Sequence, residues 1–365
     1  MPSWLVIRKG GEITTGAGGA IETPLREGSM DAEHVLVTGG AGFIGANLVR
    51  WLHRHRPRLR VTVVDKLTYA GHRRYLRELV DAREVELVVA DIADREAMEE
   101  LFSRSAFDGV YHLAAESHVD RSIEGPRAFV ESNVWGTFVV LECLRRQVDE
   151  SGSSARLVHV STDEVYGSLG EDGAFCETTP YDPSSPYSAT KAASDHLVQA
   201  YHRTYGLDAV ITNCSNNFGP YQYPEKLIPV VIRSLRDRQD VPVYGDGGHI
   251  RDWLYVEDHC RALVRAFEQG EAGRRYNIGA SNEWTNLELV YAICDRVDEG
   301  LNRPEGTGRS QVCFVADRPG HDRRYAIDAS RIRRELRWRP RVAFEEALDR
   351  TVRWYLEHMH SIWGI

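Results

Sequence analysis

His34-Val35-Leu36-Val37-Thr38-Gly39-Gly40-Ala41-Gly42-Phe43-Ile44-Gly45 decides the fold. Five residues suited to a short buried strand, His34 to Thr38, run into a glycine-rich turn, and a helix follows through about His55. The turn satisfies G-x-G-x-x-G from Gly40 and G-x-x-G-x-x-G from Gly39. Such glycines permit a tight turn and let backbone N–H groups approach a pyrophosphate at the helix N-terminus. Arg60 to Val64 reads as the second strand and ends at Asp65. An acid there accepts hydrogen bonds from an adenosine ribose and repels a 2′-phosphate, which favours NAD over NADP; the adjacent Lys66 weakens that preference. Asp91-Ile92 follows a third strand, Val85 to Val89, where either adenine contacts or a helix N-cap fit.

Outward from this unit the alternation continues. Gly109 to Leu113 and Leu157 to Ser161 read as strands, and residues 94–104 and 125–148 as helices. Short apolar strands alternating with helices predict an α/β fold, a Rossmann-type doubly wound parallel sheet covered on both faces. After about residue 215 the rhythm loosens, with Pro, Tyr and Gly clustered at 219–224 and 242–248 and helices near 256–269, 285–298 and 344–358. The expected division is an NAD-binding unit over 30–217 plus about 250–273, and a smaller, partly interleaved substrate unit over 218–249 plus about 274–365. Residues 1–29, rich in Gly and Thr before Met30, read as an extension outside the fold.

The 365 residues are 42% apolar and 27% charged, too rich in apolar side chains for disorder. No run approaches the ~18 apolar residues of a membrane span. A formal charge of −9 speaks against a nucleic-acid grip built on bulk charge. The six cysteines form no CxxC pair and nothing reads as a signal peptide, so a cytoplasmic protein is expected. His53-Arg54-His55 and His358-Met359-His360 lack a third ligand in metal spacing, and no metal is expected. The basic run Arg331 to Arg341 reads as a solvated helix face, and Trp338, Trp354 and Trp363 as core or interface. Only four of the 45 basic residues are lysines, Lys9, Lys66, Lys191 and Lys226; a lysine kept against that bias points to a place where a compact, titratable charge is wanted.

Ser185-Pro186-Tyr187-Ser188-Ala189-Thr190-Lys191 opens a helix, with Pro186 at its first position. Tyr187 and Lys191, four apart, share a face. A free phenol, with a pKa of ~10, is a poor base at neutral pH. A nearby ammonium and a positive nicotinamide ring would both favour the phenolate, and the lysine can also hydrogen-bond the nicotinamide ribose. Gly39–Gly45 together with Tyr187 and Lys191 resembles the short-chain dehydrogenase/reductases, in their extended, nucleotide-sugar branch. That resemblance implies a Ser or Thr at the end of the fifth strand, here Thr162, as the hydroxyl that binds the sugar O4.

Asp163 and Glu164 follow Thr162 directly. Oxidation and reduction at C4 alone, as in 4-epimerases, need no added acid/base pair. A dehydratase does: once C4 is a ketone a base can take the C5 proton, and an acid must protonate the departing C6 hydroxyl. Two adjacent carboxyl groups in different environments can divide those jobs. The chain resembles the dTDP-glucose 4,6-dehydratases over nearly all of 33–350. The segments that carry the resemblance are Asp65-Lys66-Leu67-Thr68-Tyr69-Ala70-Gly71, Leu113-Ala114-Ala115-Glu116-Ser117-His118-Val119-Asp120-Arg121-Ser122, Cys214-Ser215-Asn216-Asn217-Phe218-Gly219-Pro220, Pro224-Glu225-Lys226-Leu227-Ile228-Pro229, Arg251-Asp252-Trp253-Leu254 and Asp317-Arg318-Pro319-Gly320-His321. Phe218 departs from the usual tyrosine.

The resemblance implies NAD as cofactor, a sugar nucleotide as substrate and a homodimer built on residues 125–148 and 186–205, with no nucleic-acid or membrane partner. It makes Tyr187, with Lys191 and Thr162, the group that takes the O4 proton, Glu164 the C5 base and Asp163 the acid at C6. The cofactor residues it implies are Gly39, Gly40, Gly42, Phe43, Ile44, Gly45, Asp65, Lys66, Leu67, Thr68, Asp91, Ile92, Leu113, Ala114, Ala115, Ser132, Tyr187, Lys191 and Asn217. The sugar-nucleotide residues are Ser117, Thr162, Asn216, Lys226, Leu227, Pro242, Tyr244, Arg251, Asn286, Arg318 and His321. Arg251 fits a diphosphate clamp because a guanidinium forks onto phosphate oxygens. The same reaction on UDP-glucose, a nucleotide-sugar 4-epimerase and an NAD-sensing regulator are the alternatives; the acid pair disfavours the second, and intact Thr162, Tyr187 and Lys191 the third.

Overall fold

The computed structural model describes residues 32–317 and 321–364. Its strands are β1 (His34–Thr38), β2 (Arg60–Asp65), β3 (Glu86–Val89), β4 (Gly109–His112), β5 (Arg156–Thr162), β6 (Asp208–Cys214), β7 (Asn216–Phe218), β8 (Val241–Tyr244), β9 (Ile250–Tyr255), β10 (Arg275–Ile278), β11 (Glu283–Thr285) and β12 (Val312–Val315). Seven of them form one sheet in the order β10-β6-β5-β4-β1-β2-β3, parallel throughout. β1 is buried along its whole length, as expected of a strand with helices over both faces. Parallel strands bring all their carboxyl ends to one edge. Thr38, Asp65, His112, Thr162 and Cys214 therefore end side by side, and loops leaving that edge build the site.

The smaller region holds a three-stranded sheet, β11-β9-β7, and a two-stranded one, β12-β8. Its own core gathers Phe218, Ile232, Trp253, Leu289 and Tyr355 from strands and from the helices Leu227–Arg236, Asn286–Gly300 and Phe344–Trp363. Trp338 is core as expected, its indole N–H donating to the Asp258 carbonyl at 3.0 Å. Trp354 and Trp363 pack against Tyr355.

Three details correct the sequence reading. β6 and β10 extend the sheet beyond the five expected strands. In β6 the polar pair Thr212 and Asn213 interrupts the apolar run, yet both are buried and bonded, Asn213 Nδ2 donating to the Thr162 carbonyl at 3.0 Å. The boundary at about 273 moves, because β10 completes the large sheet while β9, placed in the NAD-binding unit, pairs with β7 and β11 in the small one. The helix expected over 125–148 is instead the turn Arg127–Phe129, a π-helical stretch Val130–Gly136 and an α-helix Thr137–Ser151. Residues 1–29 and Met30 lie outside the described residues. Among the described residues no helix is long and apolar enough to cross a membrane.

Candidate active site

The carboxyl edge of the large sheet opens into a cavity of about 290 Å³, lined from the glycine turn at one end to Lys226 at the other. The turn is shaped for close approach. Gly39 has φ +66°, and a side chain there would strike the Ala114 backbone; a Cβ on Gly45 would lie 2.2 Å from the Gly39 carbonyl oxygen. The helix Phe43–His55 begins at Gly42 with no side-chain cap, which leaves its first-turn amides to an anion. Gly40 does not line the cavity: it packs behind the turn on Val63. Asp65 Oδ2 accepts from the Ala41 N–H at 3.0 Å and Oδ1 from the Leu67 N–H at 2.8 Å. Burial raises its pKa against those two hydrogen bonds, and each oxygen keeps a lone pair for a ribose hydroxyl. Lys66 Nζ stands 3.5 Å from both Asp91 and Glu116 carboxylates, so its charge is shared inside the pocket. Thr68, Asp91, Ile92 and Ser132 line the same end. These features fit a dinucleotide: an uncapped helix end for its phosphates and an acid at the ribose position.

Leu113, Ala114, Ala115 and Ser117 form the floor. The loop is pinned by residues that the sequence did not flag. Thr38 Oγ1 accepts from the Leu113 and Ala114 amides at 3.2 Å each. Asn133 takes the Glu116 N–H at 2.8 Å and donates to the Glu116 carbonyl at 3.0 Å and to Thr190 Oγ1 at 2.9 Å. The loop and the helix Pro186–Tyr205 are thereby one rigid unit.

That helix starts on a capping box between Ser185 and Ser188, with Pro186 in the first turn. Tyr187 and Lys191 are buried and both face the cavity. Lys191 Nζ donates to the Val160 carbonyl at 2.8 Å. Burial first, then the negative Glu164, push Tyr187 well above its ordinary value, while a hydrogen bond with Thr162 pulls the other way. Lys191, itself lowered by burial and raised by Asp195, does not offset this: its charge is engaged by the sheet and by Asp195.

Thr162 ends β5 and caps the short 3₁₀ turn Asp163–Tyr166, its Oγ1 accepting the Glu164 N–H at 3.2 Å. The two acids that follow land in different surroundings. Asp163 is 2% exposed, and its buried Oδ2 has no hydrogen-bond partner among the described residues. Burial, then Glu164 and Asp252, raise its carboxyl well above the carboxylate range, which favours its protonated form. Glu164 is half-buried at the cavity wall. Cys214 sits beside them, its thiol pushed up to about 12 by burial first and then by Asp163.

Asn216, Asn217 and Lys226 line the far end, where Lys226 Nζ donates to the Ser117 carbonyl at 2.9 Å. The remaining sugar-nucleotide candidates gather beyond the cavity. Leu227 opens its helix, and Pro242 and Tyr244 lie exposed on β8. Asn286 starts the helix Asn286–Gly300. His321 stacks on His249 at 3.7 Å, and both rings meet the Asp317 carboxylate. Arg251 is buried, with Nη1 donating to the Ile250 carbonyl at 2.7 Å, Nη2 to the Asp322 carbonyl at 2.9 Å and the guanidinium over the Tyr325 ring. Arg318 lies outside the described residues. Phe218 packs in the smaller core against Tyr255 and Phe344, so its lack of a hydroxyl falls on packing.

The family model described as GDP-mannose 4,6 dehydratase matches residues 36–351. A dTDP-glucose 4,6-dehydratase of Shigella flexneri is 53% identical over 341 residues, covering 90% of this chain and 94% of that one. Among solved structures, DesIV, a dTDP-glucose 4,6-dehydratase from Streptomyces venezuelae with NAD and TYD bound, superposes with a TM-score of 0.82 at 45% identity, covering 91% of this chain and 99% of that one. The dTDP-glucose 4,6-dehydratase of Bacillus anthracis in complex with NAD gives 0.80 at 39% identity, covering 91% and 99%.

Proposed function

The chain belongs to the GDP-mannose 4,6 dehydratase family, and from that membership we propose how its residues divide the NAD-dependent dehydration of dTDP-glucose to dTDP-4-keto-6-deoxyglucose, a step feeding deoxysugar synthesis. The observation that carries the division is the asymmetry of the acid pair: Asp163 is sealed from water with its carboxyl raised, and Glu164 is half-buried at the cavity wall. A lyase of this kind needs one proton donor and one base on neighbouring carbons.

NAD, when bound, supplies the hydride acceptor at C4, the hydride donor at C6 and a positive ring. The glycine turn Gly39–Gly45, Asp65, Asp91, Ile92, Ser132 and Asn217 hold it. Tyr187 takes the O4 proton, with Thr162 fixing O4 through the hydroxyl that already bonds the phenol. Glu164 removes the C5 proton. Asp163 gives its proton to the C6 oxygen, which leaves as water. Lys191 orients the nicotinamide ribose. Ser117, Asn216, Lys226 and the residues around Tyr244, Arg251 and His321 hold the sugar nucleotide. Purified protein should convert dTDP-glucose to a product lighter by one water with no net NADH, and UDP-glucose poorly. Build-up of free NADH, or a C4 epimer as sole product, refutes the assignment.

Two coarser expectations belong to the same reading. The exposed Val130, Trp135 and Tyr205 lie on the segments 127–151 and 186–205, and they support a C₂ homodimer through those helices. Light scattering that finds a lone 41.3 kDa species at micromolar concentration would contradict it. All six cysteines are free, which suits a reducing compartment such as the cytoplasm.

A further inference from the structure

Tyr187, Lys191 and Asp195 recur at four-residue spacing, so one face of the helix carries all three. Asp195 is fully buried. Its Oδ2 accepts from Ser161 Oγ at 2.9 Å, Tyr181 OH at 2.5 Å and Asn213 Nδ2 at 3.3 Å, and Oδ1 lies 3.2 Å from His159 Nε2. Those donors come from β5, β6 and the loop ahead of the helix. A carboxylate sealed from water is costly unless it is paired and hydrogen-bonded; here Oδ2 takes three donors, while Oδ1, with no hydrogen-bond partner among the described residues, has the His159 ring beside it.

We propose that Asp195 is a positioning residue for hydride transfer: it is the counter-charge of the Lys191 ammonium and the clamp that fixes the ends of β5 and β6 beneath it. The other titratable groups packed around Lys191 do not supply that charge. His159, on β5, is held down to about 4 by burial and then by Lys191. His112, on β4, is held well below its ordinary value by burial, His159 and Lys191. Cys214, on β6, is pushed up to about 12. Near neutral pH all three are uncharged, and Tyr187 on the same helix is also pushed towards its neutral form. Burial alone would raise Asp195, but His159, Lys191 and Tyr181 outweigh it and hold the carboxyl ionised. Asp195 acts on the chemistry only through Lys191, so the inference rests on the reading of Lys191 given above.

The chain's four lysines make a direct test possible. With ε-¹³C-lysine in the whole protein, Lys191 is assigned by the resonance lost in Lys191→Arg and titrated in wild type, Asp195→Asn and Asp195→Glu. Asp195→Asn should lower the Lys191 titration by roughly one unit or more. The alkaline limb of single-turnover nicotinamide reduction should move down by the same amount, and its acid limb should stay in place. Asp195→Glu should restore both towards wild type. A folded Asp195→Asn whose Lys191 titrates as in wild type, or an Asp195→Glu that shifts equally, overturns the proposal. Should Asp195→Asn fail to fold, wild type alone decides: an uncharged Lys191 at pH 7 overturns the proposal and a charged one supports it. The resonance reports the lysine's charge whether or not sugar nucleotide is turned over, so a failure here is distinct from a failure of the assigned reaction.

Discussion

Asp163 and Asp195 are equally hidden from water, at 2% and 0% exposed, yet the protein drives them in opposite directions. Asp195 sits among donors and one cation and is held ionised. Each keeps one buried oxygen without a hydrogen-bond partner among the described residues, but Asp163, just past the end of β5, has only Thr162 Oγ1 near its other oxygen, faces Glu164 and Asp252, and is raised well above the carboxylate range. Burial alone therefore does not set the role of an acid; the number of N–H and O–H groups aimed at it does.

The largest break in this contrast is expected from the groups proposed to meet the substrate. Tyr187→Phe, Glu164→Gln and Asp163→Asn should each lower turnover by ~10²–10⁴-fold, the range for losing a general acid or base. They should fail at different steps. Tyr187→Phe should form almost no enzyme-bound NADH. Glu164→Gln should oxidise C4 and then stall with NADH held. Asp163→Asn should slow loss of water while solvent deuterium still exchanges at C5. Stopped-flow absorbance with mass spectrometry separates the three, and a Glu164→Gln that binds substrate yet forms no NADH would move Glu164 to the oxidation step.

A middle-sized effect is expected at the donors of Asp195. Tyr181→Phe removes a hydrogen bond to a charged group, worth ~1.5–3 kcal/mol, readable as a lower urea midpoint. Because the folded Asp195 is depressed, its stabilisation is present above the unfolded carboxylate value near ~3.9 and is lost as pH falls through the folded value. The variant should therefore unfold at a higher pH on acid titration. An unchanged acid transition would argue that Asp195 is not held by its donors.

The smallest effect has the opposite sign. The folded Asp163 is raised, so its contribution is full below the unfolded value and is lost as pH rises through the folded one. Asp163→Asn should match wild type in stability near pH 4 and exceed it at pH 8 by roughly 1–3 kcal/mol, the scale of a polar group buried without partners. Equal stability at both pH values would mean that Asp163 is not protonated in the fold.

Much of this was legible in the chain. Glycine spacing after an apolar strand, and an acid closing the next, located the dinucleotide end, because backbone approach there tolerates no Cβ. Tyr187 and Lys191 were legible from helical spacing, and Thr162, Asp163 and Glu164 from a strand running into three polar residues. What escaped was whatever depended on partners distant in sequence. Asn133 looks like one polar residue in an apolar helix until Glu116 and Thr190 meet it. Asp195 continues the spacing of Tyr187 and Lys191, a signal that was present and unused. Helical spacing gave the proximity of Tyr187 and Lys191 but says nothing of the desolvation that raises the phenol. β6 was passed over because its polar residues find partners only across the sheet.

The π-helical stretch Val130–Gly136 sets a constraint of another kind. It carries Ser132 to the cavity and Asn133 to the loop at Glu116, while Gly136 lets Ile92 close in where a Cβ would lie 2.6 Å away. A wide turn holds one residue more than its α-helical counterpart. Removing any single residue from 130–136 would let the segment relax to an α-helix, and the flanking faces would keep nearly the same phase because the wide turn takes up one residue. The apolar face after Thr137 would stay in place, and the directions of Ser132 and Asn133, set inside the wide turn, would change. The wide turn thus acts as a spare step: a one-residue deletion within these seven residues should spare the packing of the following α-helix and be felt at the cavity, whereas the same deletion inside Thr137–Ser151 should turn that helix's apolar face by about 100°.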